Sequence, residues 1–176
     1  VAIHSENKMW FEENHHIRFV PNCPFTDPSY HLPHFYELFA LWADEEDRKF
    51  WKEAADASRE YLQNACHEKT GLCAEYANFD GSPLDKELPW GYFGNYFSDA
   101  YRTAANIAID AEWFGEDKGH LDVPLRQMKF FGTDIEAIRC VYAVDGTPVD
   151  KTVLHPLGLL ATIAQGALAV PYSEEK

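Results

Sequence analysis

Apolar residues recur at helical spacing along most of the chain and lose that spacing in two places. Phe35, Leu38, Phe39 and Trp42 predict a first helix after a start near Pro28-Ser29. Asp44 is placed to cap the next helix, with Asp47 favouring its positive end. Phe50, Ala54, Ala57, Tyr61 and Ala65 form one stripe on it, widened by Trp51, Ala55 and Leu62. Lys52, Glu53, Asp56, Arg59 and Glu60 fall on the opposite side, the mark of an outer, amphipathic helix. Ser98 or Asp99 opens Ala100–Phe114, apolar on nearly all sides and so predicted to be buried. Leu121–Phe131, with Pro124 in its first turn, and Pro156–Val170, also expected to be buried, complete the helices.

The pattern fails between Met9 and Pro24, read as an irregular or short extended arm, and between Thr70 and Asn95. The latter is a long loop rich in Gly and Pro that carries Tyr76, Phe79, Trp90, Tyr92 and Phe93. Loops of this length are often functional. Strand candidates are few, so the predicted fold is all-α. The alternation of polar-faced helix, aromatic loop and buried helix fits concentric layers with loops at one end. No internal repeat or domain linker is visible, and residues 1–176 read as part of a single domain.

Charge narrows the partners. Fifteen Lys and Arg against 29 Asp and Glu give a net charge of −14. That excess argues against nucleic acid, which needs clustered cations, and against anionic lipid. No run reaches the roughly 18 apolar residues that span a bilayer. Cys23, Cys66, Cys73 and Cys140 lack CxxC spacing and read as free thiols of a cytoplasmic protein. Val1-Ala2-Ile3 shows neither a signal peptide nor an initiator Met. High aromatic content, 15%, together with acidity fits a carbohydrate-handling surface without requiring one.

Asn95-Tyr96-Phe97-Ser98-Asp99-Ala100-Tyr101-Arg102 sets a carboxylate at the mouth of a helix, with a guanidinium three residues on along the same face. Such a group can serve as a general base; it can equally be a helix-start residue with a local ion pair. Phe25-Thr26-Asp27-Pro28-Ser29-Tyr30-His31-Leu32-Pro33 is a polar, aromatic turn, open to a binding or a capping role. Glu75-Tyr76-Ala77-Asn78-Phe79-Asp80-Gly81 offers Tyr76 and Phe79 as stacking platforms, or as anchors of their own loop. Leu154-His155-Pro156 precedes the last helix. His15-His16 has no metal-ligand spacing, so no metal or other cofactor is expected.

The segments around Pro24–Leu38, Asp99–Asp110 and Leu154–Thr162 together resemble glycoside hydrolase family 8, in order and over almost the whole chain. The resemblance implies an (α/α)6 barrel, a six-hairpin toroid, of which this chain supplies roughly the C-terminal half. It implies inverting hydrolysis of β-1,4-xylo-oligosaccharides with release of xylose from the reducing end. By the same resemblance Asp99 matches the general base, Tyr30 positions the attacking water, and Arg102 binds substrate beside the base. His155 matches a loop that closes the cleft beyond the reducing-end sugar, and Asp27, His31 and Tyr76 lie near the cleft. Asn14-His15-His16 and Lys86-Glu87-Leu88-Pro89 depart from the pattern.

An inverting glycosidase needs two carboxyl groups roughly 6.5–9.5 Å apart. The family's acid is a Glu upstream of these segments, and Glu6, Glu12 and Glu13 do not sit in its motif. The expected partners are therefore a xylo-oligosaccharide and an N-terminal fragment of the same enzyme, without which this chain would be inactive. The alternatives are an endo-acting family member on xylan, chitosan or β-glucan, and a non-catalytic oligosaccharide-binding fragment.

Overall fold

The computed structural model describes residues 4–115 and 122–172. Five α-helices carry the fold: α1 Pro33–Trp42, α2 Arg48–Ala65, α3 Arg102–Phe114, α4 Asp122–Phe131 and α5 Pro156–Gly166. Short 3-10 turns at Pro28–Tyr30, Glu45–Asp47 and Ser98–Tyr101 lead into α1, α2 and α3. Three antiparallel hairpins of two-residue strands join them: β1 Trp10–Phe11 with β2 His16–Ile17, β3 Glu87–Leu88 with β4 Gly91–Tyr92, and β5 Val141–Tyr142 with β6 Pro148–Val149. The sequence showed none of these hairpins, because two residues are too few for an alternating pattern to register. The proposed helix start at Leu121, like Val1-Ala2-Ile3, lies outside the described residues.

Helix α1 packs along α2, and α3 packs against α1, α4 and α5. The main core joins Leu62, Cys66, Leu72 and Cys73 to Tyr96, Tyr101, Ile107, Val123 and Leu159. Gly71 pins the start of the long loop to α4: it has φ +70°, and a Cβ there would stand 2.6 Å from the Val123 carbonyl oxygen. A second cluster gathers Trp10, Tyr36, Ala54 and Ala55 under the first hairpin.

Four details differ from the expectation. Asp44 makes no side-chain cap; Glu45–Asp47 turns into α2 instead. Arg59, assigned to the polar face, is buried, because Asp110 of α3 and Glu37 of α1 meet it there. The α1 stripe is inverted. Pro33, His34 and Tyr36 face inward, while Phe35, Phe39 and Trp42 are exposed, Trp42 by 75%. Helix α5 is likewise open on most sides: Leu159 and Gly166 are buried, and Leu157 is 78% exposed. Among the described residues, no helix is long and apolar enough to cross a membrane.

Candidate active site

Backbone pairing builds the floor. Thr26 and Ala77 exchange both main-chain hydrogen bonds at 3.0 Å. On the other side of the same segment, the N–H groups of Glu75 and Tyr76 donate to the carbonyls of Asn95 and Phe93, both at 2.9 Å. Residues 25–27, 75–77 and 93–95 thus lie side by side, and the long loop is ordered by its own main chain. Asp27 then ends the first segment as a cap. Its Oδ1 accepts from the Ser29 N–H at 2.7 Å, and Pro28 suits the first position of the turn.

Asp99 arrives from the other side. Phe97 is extended, Ser98 has φ +39°, and Asp99 stands in the first turn of Ser98–Tyr101. A non-glycine residue held at positive φ stores strain, a feature that clusters at functional sites. The Asp99 side chain is 43% exposed, and its Oδ2 lies 2.9 Å from Nη2 of Arg102. The same Nη2 donates to Ser29 Oγ at 2.9 Å and lies 3.7 Å from Asp27 Oδ2. The guanidinium also stands 5.8 Å from the Tyr30 ring centre. Asn106, one turn further along α3, donates to the Ser29 carbonyl at 2.9 Å. Arg102 is the hub that brings Asp99, Asp27, Ser29 and Tyr30 together.

Beneath this hub two more acids are buried. Asp27 is fully enclosed and its Oδ2 has no hydrogen-bond partner. Burial pushes its pKa up to about 7 against the pull of Ser29 and Arg102. Glu75 is 5% exposed, and its Oε2 is also unpartnered. Burial first, then the charges of Asp99 and Asp27, push it up to about 8. An acid held neutral near pH 7 beside an ion-paired carboxylate is an arrangement found in active sites.

The other sequence candidates fall around this centre. His31 is fully buried under the site, with Nε2 3.1 Å from Thr26 Oγ1 and Nδ1 3.1 Å from Ser58 Oγ. Its ring stacks on Tyr61 at 4.0 Å, which leaves it a supporting place with no face on the cleft. Tyr76 is packed among Phe19, Phe25 and Phe93, and little of it is open to stack on a sugar. Phe79 stacks on Phe11 at 4.8 Å, away from the Asp99 group. His155 is exposed at the N-terminus of α5, in the left-handed region at φ +58°. The helix it precedes, α5, packs against the turn that carries Asp99.

Of two grooves here, the first is lined by hub residues and the second by the neighbouring loops. One, of about 560 Å³, runs from Ser29, Tyr30, Arg102 and Asn106 to Leu32, Tyr36 and Phe39. The other, of about 570 Å³, lies between the β3–β4 hairpin, with Trp90, and Asn95, Phe97, Lys151 and Leu154. Sequence reading quoted Ser29, Glu75 and Asn106 inside candidate segments without giving any of them a role, and did not single out Lys151. Glu75 carried a usable signal, as a lone acid between Leu72-Cys73-Ala74 and Tyr76. Among the described residues, the group with metal-ligand spacing is His4, Glu46 and Asp47, remote from Asp99 and without the His15-His16 pair.

No family model matches the chain. Curated relatives do. It is 54% identical over 161 residues to the reducing end xylose-releasing exo-oligoxylanase of Halalkalibacterium halodurans, covering 92% of this chain and 40% of that protein. It is 54% identical over 168 residues to the enzyme of that name from Bifidobacterium adolescentis, covering 95% and 43%. A solved structure of a Rex8A variant from Paenibacillus barcinonensis, complexed with an arabinofuranosyl-xylotetraose, superposes with a TM-score of 0.88 at 51% identity. That match covers 93% of this chain and 42% of the other. The chain therefore spans about two fifths of the length of the relatives it matches. Its helices form the corresponding arc of an (α/α)6 toroid. Over more than nine tenths of its length, the chain is a homologue of the reducing-end xylose-releasing exo-oligoxylanases.

Proposed function

We propose that this chain supplies the base-bearing side of a family 8 glycoside hydrolase that releases xylose from the reducing end of β-1,4-xylo-oligosaccharides with inversion. The observation that carries the reading is the Arg102 hub, which joins Asp99, Ser29, Asp27 and Tyr30 in a chain homologous to such enzymes. Asp99 is the general base and Tyr30 holds the attacking water. A Glu on the N-terminal side of the barrel protonates the leaving oxygen from the opposite face of the sugar. Arg102 fixes the base by its ion pair and binds the sugar next to it. His155, fixed by a left-handed backbone ahead of Pro156, bounds the cleft beyond the reducing-end sugar.

The open apolar faces of α1 and α5 support the need for the rest of the toroid. Phe35, Phe39, Trp42 and Trp113 lie exposed at one edge, and Leu154, Leu157 and Leu160 along α5. Faces of that kind are covered in a finished protein. The test is to assay this chain on xylotriose alone and mixed with the N-terminal part. Turnover should appear only in the mixture, and native mass spectrometry should show both pieces. Full activity from a sole 20.2 kDa species would refute the reading. Binding of xylotriose without turnover in the mixture would favour a non-catalytic binding fragment, and cleavage inside polymeric xylan an endo-acting one.

A further inference from the structure

Two carboxyl groups reach Arg102, Asp99 at 2.9 Å and Asp27 at 3.7 Å, and a third, Glu75, is buried within range of its charge. We infer that Glu75 is a positioning residue of this site, a neutral carboxylic acid that holds its proton so that Arg102 stays committed to Asp99. The inference rests on the reading of Asp99 as the base.

The geometry is specific. Glu75 sits in the segment hydrogen-bonded between residues 25–27 and 93–95, so its backbone is fixed on both sides. Its side chain is more than nine tenths buried, yet Oε2 meets no hydrogen-bond partner among the described residues. A buried, unpartnered carboxylate costs several kcal/mol, whereas a carboxylic acid in the same place costs far less. The charged groups that act on it are Asp99, Asp27, Lys151 and Arg102. Tyr30, Tyr76 and Tyr101 are the titratable hydroxyls around it. Lys151 is engaged elsewhere, donating to the Tyr92 carbonyl at 3.3 Å and lying 3.7 Å over the Phe97 ring.

The consequence follows from counting charges. One guanidinium reaches Asp99 at 2.9 Å and Asp27 at 3.7 Å. With Glu75 and Asp27 both protonated, Asp99 is its sole anionic partner. As pH rises Asp27 ionises first and Glu75 after it, negative charge accumulates under the hub, and Arg102 is drawn down and away from the base. The site then loses its alignment as pH rises, through groups on this chain alone.

The test compares three forms of the complemented enzyme on xylotriose. Glu75→Gln, neutral and of the same shape, should keep kcat within about 3-fold and leave an alkaline loss set by Asp27 alone. Glu75→Ala should lose about 10-fold or more in kcat with KM little changed, the pattern of a lost transition-state alignment. If Glu75→Gln falls as far as Glu75→Ala, an ionised carboxylate is required and the inference fails. It also fails if both variants match the parent. Infrared spectroscopy of the 176-residue chain at about pH 6 gives a readout independent of turnover. A protonated-carboxyl band should be present, and a component of it should vanish in Glu75→Gln but persist in Asp99→Asn. Its absence overturns the inference whatever the activity. Its presence in a chain whose complemented form leaves xylotriose uncut upholds the proton's place and defeats the functional reading.

Discussion

Two clusters of charge lie about two turns apart along one face of α3, around Arg102 and around Asp110, and they are finished to different degrees. In the first, Arg59 meets Asp110 through two hydrogen bonds, Nε to Oδ2 at 2.9 Å and Nη2 to Oδ1 at 2.8 Å. It also donates to Glu37 at 2.7 Å, which is shared in turn with Lys52. In the second, Arg102 serves Asp99 and approaches Asp27, while Asp27 Oδ2 and Glu75 Oε2 go without hydrogen bonds. A complete network locks helices together. An incomplete one leaves buried acids held by their own protons in place of partners. The first is a brace joining α1, α2 and α3, and the second a site.

The widest gap should appear with Asp99→Asn, which keeps the shape of the site and removes its base. In the complemented enzyme, turnover of xylotriose should drop by roughly 10²- to 10⁴-fold. Calorimetry should find binding retained, and preserved turnover would remove Asp99 from its role. On the brace side, Asp110→Ala leaves Arg59 buried without its main partner. It should cost ~3–5 kcal/mol in urea denaturation. Replacing both partners with apolar residues, Arg59→Met with Asp110→Leu, should recover much of that loss. A small effect from Asp110→Ala alone would mean the brace is not one.

Proton linkage separates the clusters more finely. Asp27 and Glu75, raised to about 7 and about 8, keep protons when folded that the unfolded chain releases near pH 4. Their stabilising contribution is complete at low pH and is lost as pH rises through those two values. Burial lowers His16 and His34 to about 4, and His31 further, so these contribute above their unfolded pKa of about 6.5 and lose that contribution as pH falls. Three histidines outweigh two acids below about pH 6.5, and above it the acids act alone. Stability followed by urea midpoints should therefore peak near neutrality and decline toward about pH 8. Asp27→Asn with Glu75→Gln should flatten that decline. A parent profile that keeps climbing to pH 8 would contradict the buried, protonated acids.

Much of this was legible in the sequence, for reasons that also mark its limits. The stripes of α2 and α3 were found because their neighbours belong to the same chain: Ala54, Tyr61 and Leu62 are buried where periodicity put them. The stripes of α1 and α5 were equally periodic, yet Phe39 and Leu157 lie open. Periodicity reports that a surface is to be covered, and is silent on what covers it. The Asp99–Arg102 pair was visible because three residues along a helix make neighbours. Ser29 and Asn106 meet 77 positions apart, and Glu75 reaches the hub through main-chain pairing of three loops. No local pattern carries that. Arg59 looked like a solvated residue for the same reason, its partner Asp110 being 51 positions away.

Ser98, at φ +39°, sets the aim of Asp99 at a cost in backbone energy. Ser98→Gly would remove that cost and should raise the melting temperature slightly, by no more than about 1 kcal/mol of stability. The same change frees the turn to wander and should lower kcat several-fold, which melting curves and xylotriose kinetics would register in opposite directions. Opposite movements of the two readouts would mean that the strain at Ser98 serves the aim of Asp99 and not the stability of the fold.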